Sequence, residues 1–279
     1  MERRPPPITL LALLAAGCMP PSWAASALLH PGRYPPKEAP PRPVETLDLE
    51  GAGVRLKGWR FAAEGPHKRG TVVYLHGISD SRRSSVHIAD HFVPLGFDVL
   101  AYDSRAHGDS GGDACTFGAY EKQDLARVLA TIKTRPIILL GSSLGAAVAL
   151  QAAALSPDVD AVISVAVFSD LRSVGHDRAP FFASEANIRD AFAIAERDGR
   201  FRVDDASPVR AAPSIKCPVL LIHGAKDGDT RPVHSQRVYD ALRGPKQLIL
   251  VPGAGHDRVV NTKVWSQIDE WLRRTLPAG

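Results

Sequence analysis

From Val44 onward the apolar positions fall into two alternating patterns. Val44–Leu49 and Val54–Phe61 read as paired strands joined by a Gly51-Ala52-Gly53 turn. Thr71–Leu75, Phe97–Tyr102, Ile137–Leu140, Asp160–Val167, Pro218–Ile222 and Gln247–Val251 are short apolar runs of the length that buried strands take. Between them, Arg83–Val93, Tyr120–Lys133, Ala146–Ala154, Val233–Leu242 and Val259–Leu276 carry helical spacing. In Tyr120–Lys133 the apolar stripe is Leu125, Val128, Leu129 and Ile132. Residues 170–216 lack a strand run but hold a helical segment, Ser184–Arg197, with Ile188, Phe192 and Ala195 on one side. This alternation predicts an α/β fold over 44–279: a mostly parallel, doubly wound sheet with an antiparallel start, and a small helical cap inserted at 170–216.

In such sheets functional groups collect at the carboxyl ends of the strands. Four strands here end in polar signatures, at His76, Asp103, Ser143 and Asp227. The most informative is Gly141-Ser142-Ser143-Leu144-Gly145, a Gly-x-Ser-x-Gly between an apolar strand and a small-residue helix. That context puts Ser143 on a sharp, strained turn beside a helix N-terminus, with glycines where strand and helix approach. A glycine-rich turn with a capping serine is the bland alternative.

A serine hydroxyl needs a base to take its proton, and the base needs an orienting acid. The order that accompanies this elbow is Ser, then Asp or Glu, then His. The last histidine is His256, in the loop Pro252-Gly253-Ala254-Gly255-His256 after the final strand. Asp227 and Asp229 both follow the strand Pro218–Ile222, and Asp227 is preferred as the acid. The oxyanion donors expected are the backbone N–H groups of Leu144 and Ile78. His76, His107 and His223 each precede a glycine near a strand end and are expected to pin loops. His87 and His91 lie one helical turn apart without further ligands, so no metal site is expected.

Charge and the N-terminus widen the picture. The formal charge is +4 without a long Lys/Arg run, which gives no case for a nucleic-acid partner. Glu2-Arg3-Arg4 followed by the apolar Ile8–Ala16 reads as an export signal, too short to span a membrane. Ala16-Gly17-Cys18 resembles a bacterial lipobox, so residues 1–17 are expected to be removed and Cys18 lipidated, giving a cell-envelope lipoprotein. Cleavage after Ala24, giving a periplasmic or secreted protein, is the competing expectation. Eight prolines between residues 19 and 43 predict that 18–43 is an extended, unpacked linker. Cys115 and Cys217 are the remaining cysteines, and free buried thiols are the simpler expectation.

The segments VVYLHG (72–77), LAYDSRAHGDSGG (100–112), ILLGSSLGA (138–146), SPVRAAPSIKCPVLLIHGAKD (207–227) and PGAGH (252–256) together resemble the α/β-hydrolase superfamily. Within it the chain is similar to Bem46-like and serine-aminopeptidase-like hydrolases. The resemblance implies Ser143 as nucleophile, Asp227 as acid, His256 as base, and Ile78 with Leu144 as the oxyanion hole. It implies a cofactor-free serine hydrolase acting on a small ester or acyl substrate. A peptidase or amidase, and a non-catalytic binding module, remain alternatives. The sequence departs from the family in reading Ile78-Ser79-Asp80 after the His-Gly pair. It also has one extra residue between Asp227 and Pro232, which keeps Asp229 in play. Phe181 and Phe182 are candidate pocket walls or core residues.

Overall fold

A computed structural model describes residues 20–257 and 259–276. Residues 1–17, expected to be an export signal, and Cys18 lie outside the described residues. The strands are β1 (Glu45–Glu50), β2 (Arg55–Phe61), β3 (Gly70–Leu75), β4 (Phe97–Tyr102), β5 (Ile137–Ser142), β6 (Ala161–Val165), β7 (Val219–Gly224) and β8 (Lys246–Val251). They form one sheet in the order β1-β2-β4-β3-β5-β6-β7-β8. β1, β2 and β4 pair antiparallel, and every pairing from β4 through β8 is parallel. This is the doubly wound sheet with an antiparallel start that the strand–helix alternation predicts.

Side-chain alternation explains why the inner strands read as continuous apolar runs. On β3, Val73 and Leu75 enter one core, while Val72 and Tyr74 enter the other. On β5, Ile137 and Leu139 oppose Ile138 and Leu140 in the same way. Both faces are covered, so neither set of alternating positions can be polar. Helices α2 (Ser85–Phe92) and α9 (Thr262–Thr275) cover one face through Ile88, Phe92, Ile268 and Trp271. Helices α3 (Glu121–Leu129), α4 (Leu144–Ala153) and α8 (Val233–Ala241) cover the other through Leu125, Val148 and Val238. The outer strand β1 keeps Glu45 and Glu50 exposed, a charged edge that discourages further pairing.

The insertion between β6 and β7 is helical: α5 (Leu171–Arg178), α6 (Glu185–Gly199) and the short α7 (Pro208–Ala211). Asp170 and Ser184 cap α5 and α6 by accepting from the N–H groups of Ser173 and Asn187. Phe181 is 97% exposed and Phe182 53%, so neither is a core residue.

The N-terminal segment departs from expectation. Pro21–Leu29 is a helix, α1, packed against α6, not part of an extended linker over 18–43. Ala25 and Leu29, four residues apart, are both buried. The prolines that dominate the composition leave 22–30 clear, and Pro21 sits in the first turn, where a missing N–H costs nothing. The chain after α1 is strapped down as well. Cys115 N–H donates to the Leu29 carbonyl (2.8 Å), and Arg33 Nη1 donates to the Ser110 carbonyl (2.8 Å). Cys115 and Cys217 are both free. Among the described residues no helix is long and apolar enough to cross a membrane.

Candidate active site

The end of β5 turns into α4 at Ser143, whose backbone sits at φ 51°, ψ −109°. A non-glycine residue there is strained and persists only where its surroundings impose it. The surroundings are backbone. A Cβ on Gly141 would lie 2.3 Å from the Gly145 carbonyl oxygen. A Cβ on Gly145 would lie 2.0 Å from the Leu75 carbonyl oxygen. Both glycines are therefore required for β5, α4 and the end of β3 to meet. The Ser143 N–H donates to the Val165 carbonyl (2.8 Å), fixing the turn to β6, and Ser143 is 7% exposed.

The loop after β3 lies against this turn: a Cβ on Gly77 would be 3.8 Å from Ser143 Cβ. Ile78 follows in that loop, and its N–H has no backbone acceptor among the described residues. Leu144 opens α4, so its N–H is one of the donors that a helix start leaves unpaired. Positive φ at Ser79 (53°), in the loop after β3, and at Ala166 (53°), just past β6, adds two more strained residues. His76 and His107 hold this corner together. His76 Nε2 accepts from the Ser104 N–H (3.0 Å), and His107 Nδ1 meets the Arg105 carbonyl (2.9 Å). Asp103, the polar end of β4, is a scaffold residue: buried, it accepts from the Arg82 N–H (2.6 Å) and the Asp109 N–H (2.9 Å).

The other half of the site comes from the loops after β7 and β8. His256 Nδ1 donates to Asp227 Oδ2 at 2.7 Å. The loops that carry them are joined through the backbone, Ala225 N–H to the Val251 carbonyl (2.9 Å) and Lys226 N–H to the Ala254 carbonyl (2.8 Å). Asp227 is the carboxylate that meets the imidazole. Asp229 is exposed, and it meets Asp227 through its backbone N–H, which donates to Oδ1 (2.9 Å). Asp227 Oδ1 also accepts from the Thr230 N–H (2.8 Å), and Oδ2 lies 3.2 Å from His223 Nε2. Burial works to raise the Asp227 pKa. The hydrogen bonds from His223, His256 and the Thr230 N–H outweigh it and hold the carboxyl well below the usual carboxylate range.

His223 is a partner that sequence reasoning placed only as a loop pin. It is fully buried; its Nε2 meets the Thr230 carbonyl (2.7 Å) and its Nδ1 meets Ser235 Oγ (2.6 Å). Only an Nε2–H tautomer serves both Thr230 and Asp227, so the Ser235 hydroxyl donates to Nδ1. Among the described residues no hydrogen bond joins Ser143 Oγ to His256, whose Asp227 contact is formed. Hydrogen bonds of this kind often tighten only when substrate is bound.

A cavity of about 350 Å³ opens between α1 and the cap, and Ile78 is part of its lining. Leu28, Phe117, Val174, Ile188 and Phe192 make it apolar. Its lining includes no Asp or Glu, and its one ionised side chain is Arg178. Arg178 is turned to the acid loop, donating from Nε to the Asp229 carbonyl (2.9 Å) and from Nη2 to Thr230 Oγ1 (2.8 Å). Neither contact is legible in sequence, because the partners lie more than fifty residues apart. Among the described residues no group of three or more His, Cys, Asp or Glu is placed to hold a metal ion.

Residues 66–190 match the family model described as serine aminopeptidase, S33. The chain is 33% identical over 216 residues to the uncharacterized protein YqkD of Bacillus subtilis, covering 73% of this chain and 70% of that protein. It is 27% identical over 194 residues to the mouse (Mus musculus) mitochondrial palmitoyl-protein thioesterase ABHD10, covering 63% of this chain and 64% of that one. Its fold superposes on the Pyrococcus furiosus esterase Pf2001 with a TM-score of 0.71, at 23% identity, over 88% of this chain and 99% of that one. With an eight-stranded, mostly parallel sheet, a serine elbow after β5 and these relatives, the chain belongs to the α/β-hydrolase superfamily and is an enzyme of the hydrolase class.

Proposed function

We propose that the protein is a serine hydrolase that cleaves carboxylic esters through an acyl-enzyme. The observation that carries this reading is the Asp227–His256 hydrogen bond, in a site whose other half is a strained serine at a helix N-terminus. His256 takes the proton of Ser143 Oγ as the oxygen attacks the ester carbonyl, and Asp227 holds the imidazole in the Nδ1–H tautomer. The Ile78 and Leu144 N–H groups receive the developing oxyanion, where one such donor is worth about a hundredfold or more in rate. His256 then gives its proton to the leaving alcohol. In the second half it takes a proton from the water that attacks the acyl-enzyme carbonyl and returns that proton to Ser143 Oγ as the Ser143–acyl bond breaks and the acid leaves.

The family model's description raises an aminopeptidase reading, which needs a site for a substrate ammonium. The cavity beside Ile78 offers no carboxylate to such a group, and this supports the ester reading. Hydrolysis rates for an ester and an anilide of the same acyl group test the choice. The ester is expected to be favoured and both activities to vanish in Ser143→Ala. A preferred anilide overturns the ester reading.

We further propose export as a lipoprotein anchored to the cell envelope through Cys18. Cleavage after Ala24 would cut α1 and separate Pro21 and Ala24 from the buried Ala25 and Leu29, whereas cleavage before Cys18 keeps the helix whole. Palmitate labelling that is lost in Cys18→Ala supports the anchor. A mature N-terminus at Ala25 excludes it.

A further inference from the structure

The cavity beside the candidate oxyanion site is walled on one side by α1, the helix that precedes the first strand of the sheet. Pro21, Ala24 and Leu28 of α1 line it together with Val174, Ile188 and Ala191 of the cap. We infer that this cavity is the acyl-chain subsite, that α1 is one of its walls, and that the substrates carry an apolar acyl chain of about ten carbons. The inference rests on reading Ser143 as the nucleophile.

Position, chemistry and size each carry part of it. Position comes from Ile78, shared between the cavity lining and the loop that packs against Ser143. A carbonyl held at the Ile78 and Leu144 N–H groups has its acyl substituent beside that lining. Chemistry comes from the lining itself. Arg178 is the one ionised side chain of the lining, and its Nε and Nη2 are directed to the Asp229 carbonyl and the Thr230 hydroxyl of the acid loop, so the remaining lining, Leu28, Phe117, Val174, Ile188 and Phe192 among it, is predominantly apolar. A charge held against that apolar lining would go uncompensated, while methylene groups gain by leaving water. Size comes from the volume of about 350 Å³, room for about ten water-sized groups. Half-exposed Phe182 stands in the lining and packs edge-on against the exposed Phe181, giving the mouth an aromatic lip.

The wall is not a loose flap. Leu29 is buried, a Cβ on Gly199 of α6 would come 2.7 Å from Leu29 Cδ2, and the strap at Cys115 and Ser110 holds the chain beyond α1. The residues nearest the proposed anchor are thus those that shape the chain-length preference.

The test is a p-nitrophenyl ester series, acetate through dodecanoate, with the full chain and with Ala24→Trp on α1 and Ala191→Trp on the cap, each adding bulk to the lining. The expected result is a kcat/KM that climbs about fourfold per methylene and levels near about ten carbons. In either variant the ratio of octanoate to acetate kcat/KM falls about tenfold or more. Equal losses on the two esters, or an unchanged ratio in both variants, overturn the inference. Calorimetric binding of octan-1-ol to Ser143→Ala separates this claim from the catalytic one. Binding that is lost when Ala24→Trp is added supports the subsite even if no ester is turned over. Ester turnover without octanol binding leaves the catalytic reading standing and overturns the subsite.

Discussion

Gly145, in the first turn of α4, meets the end of β3 so closely that a Cβ on it would stand 2.0 Å from the Leu75 carbonyl oxygen. The neighbouring atom is backbone and belongs to the strand that leads into Ile78, so it cannot swing aside as a side chain would. Gly145→Ala is expected to destabilise the fold by about 3 kcal/mol or more, and to displace the Ser143 turn from the Ile78 loop. Thermal unfolding checks the first. A variant that melts with the wild type and keeps its hydrolytic activity contradicts the packing argument.

Asp227→Asn is expected to lower kcat by about ten-thousandfold, because an amide no longer selects the imidazole tautomer that accepts from serine. Asp229→Asn removes an exposed carboxylate with no contact to His256 and is expected to stay within about twofold of wild type. Steady-state kinetics of the two variants separate the residues that the acid loop places two apart. The Asp227 carboxyl is depressed in the folded state, so its stabilisation is complete above the ordinary carboxylate value of about 4 and is lost as pH falls further.

Ser235→Ala is expected to act on the same carboxylate from a distance. Without the Ser235 hydroxyl, His223 Nδ1 loses its donor, and the ring is free to move its proton from Nε2 to Nδ1. Asp227 and the Thr230 carbonyl then lose a partner. A lost hydrogen bond of about 1 kcal/mol corresponds to about a fivefold fall in kcat. KM is expected to change less, and Ser235→Thr to restore the rate. A fall in KM-limited binding alone, with kcat intact, would falsify the positioning role.

Acid sensitivity has a second source in His107. Burial, reinforced by the neighbouring His76, lowers its pKa to about 4, and its Nε2 is buried without a hydrogen-bond partner. The unfolded chain takes up this proton near pH 6.5, so the folded state loses stability as pH falls from about 6.5 to about 4 and gains nothing above that window. The loss is on the order of 3 kcal/mol. Urea midpoints at pH 7 and pH 4.5 measure it. His107→Asn, which keeps a donor for the Arg105 carbonyl, is expected to flatten the difference; an undiminished slope contradicts the assignment.

The parts of the molecule that were legible in the sequence are those in which a local rule fixes the residue type. Strands covered on both faces must be apolar throughout, and so Thr71–Leu75 and Ile137–Leu140 stand out. The elbow requires glycine at 141 and 145, and so the position of Ser143 stands out. Choosing between Asp227 and Asp229 depended on which carboxylate the loop turns inward, which the Thr230 N–H and His223 decide together. The α1 helix was hidden by composition, because the prolines on either side of it outweigh the two buried residues that hold it. Arg178 and its contacts to the acid loop, and the pairing of Asp177 with His234 (3.0 Å), join the cap to residues some fifty positions later, and no periodicity encodes them.

The central claim is that Ser143 is the nucleophile of an Asp227–His256 pair. A fluorophosphonate reacts covalently with such a serine, and peptide mapping by mass spectrometry reads where the adduct sits. One adduct per chain is expected on the peptide containing Ser143, absent in Ser143→Ala and strongly slowed in His256→Ala. An adduct on another residue, or labelling that survives Ser143→Ala, contradicts the claim.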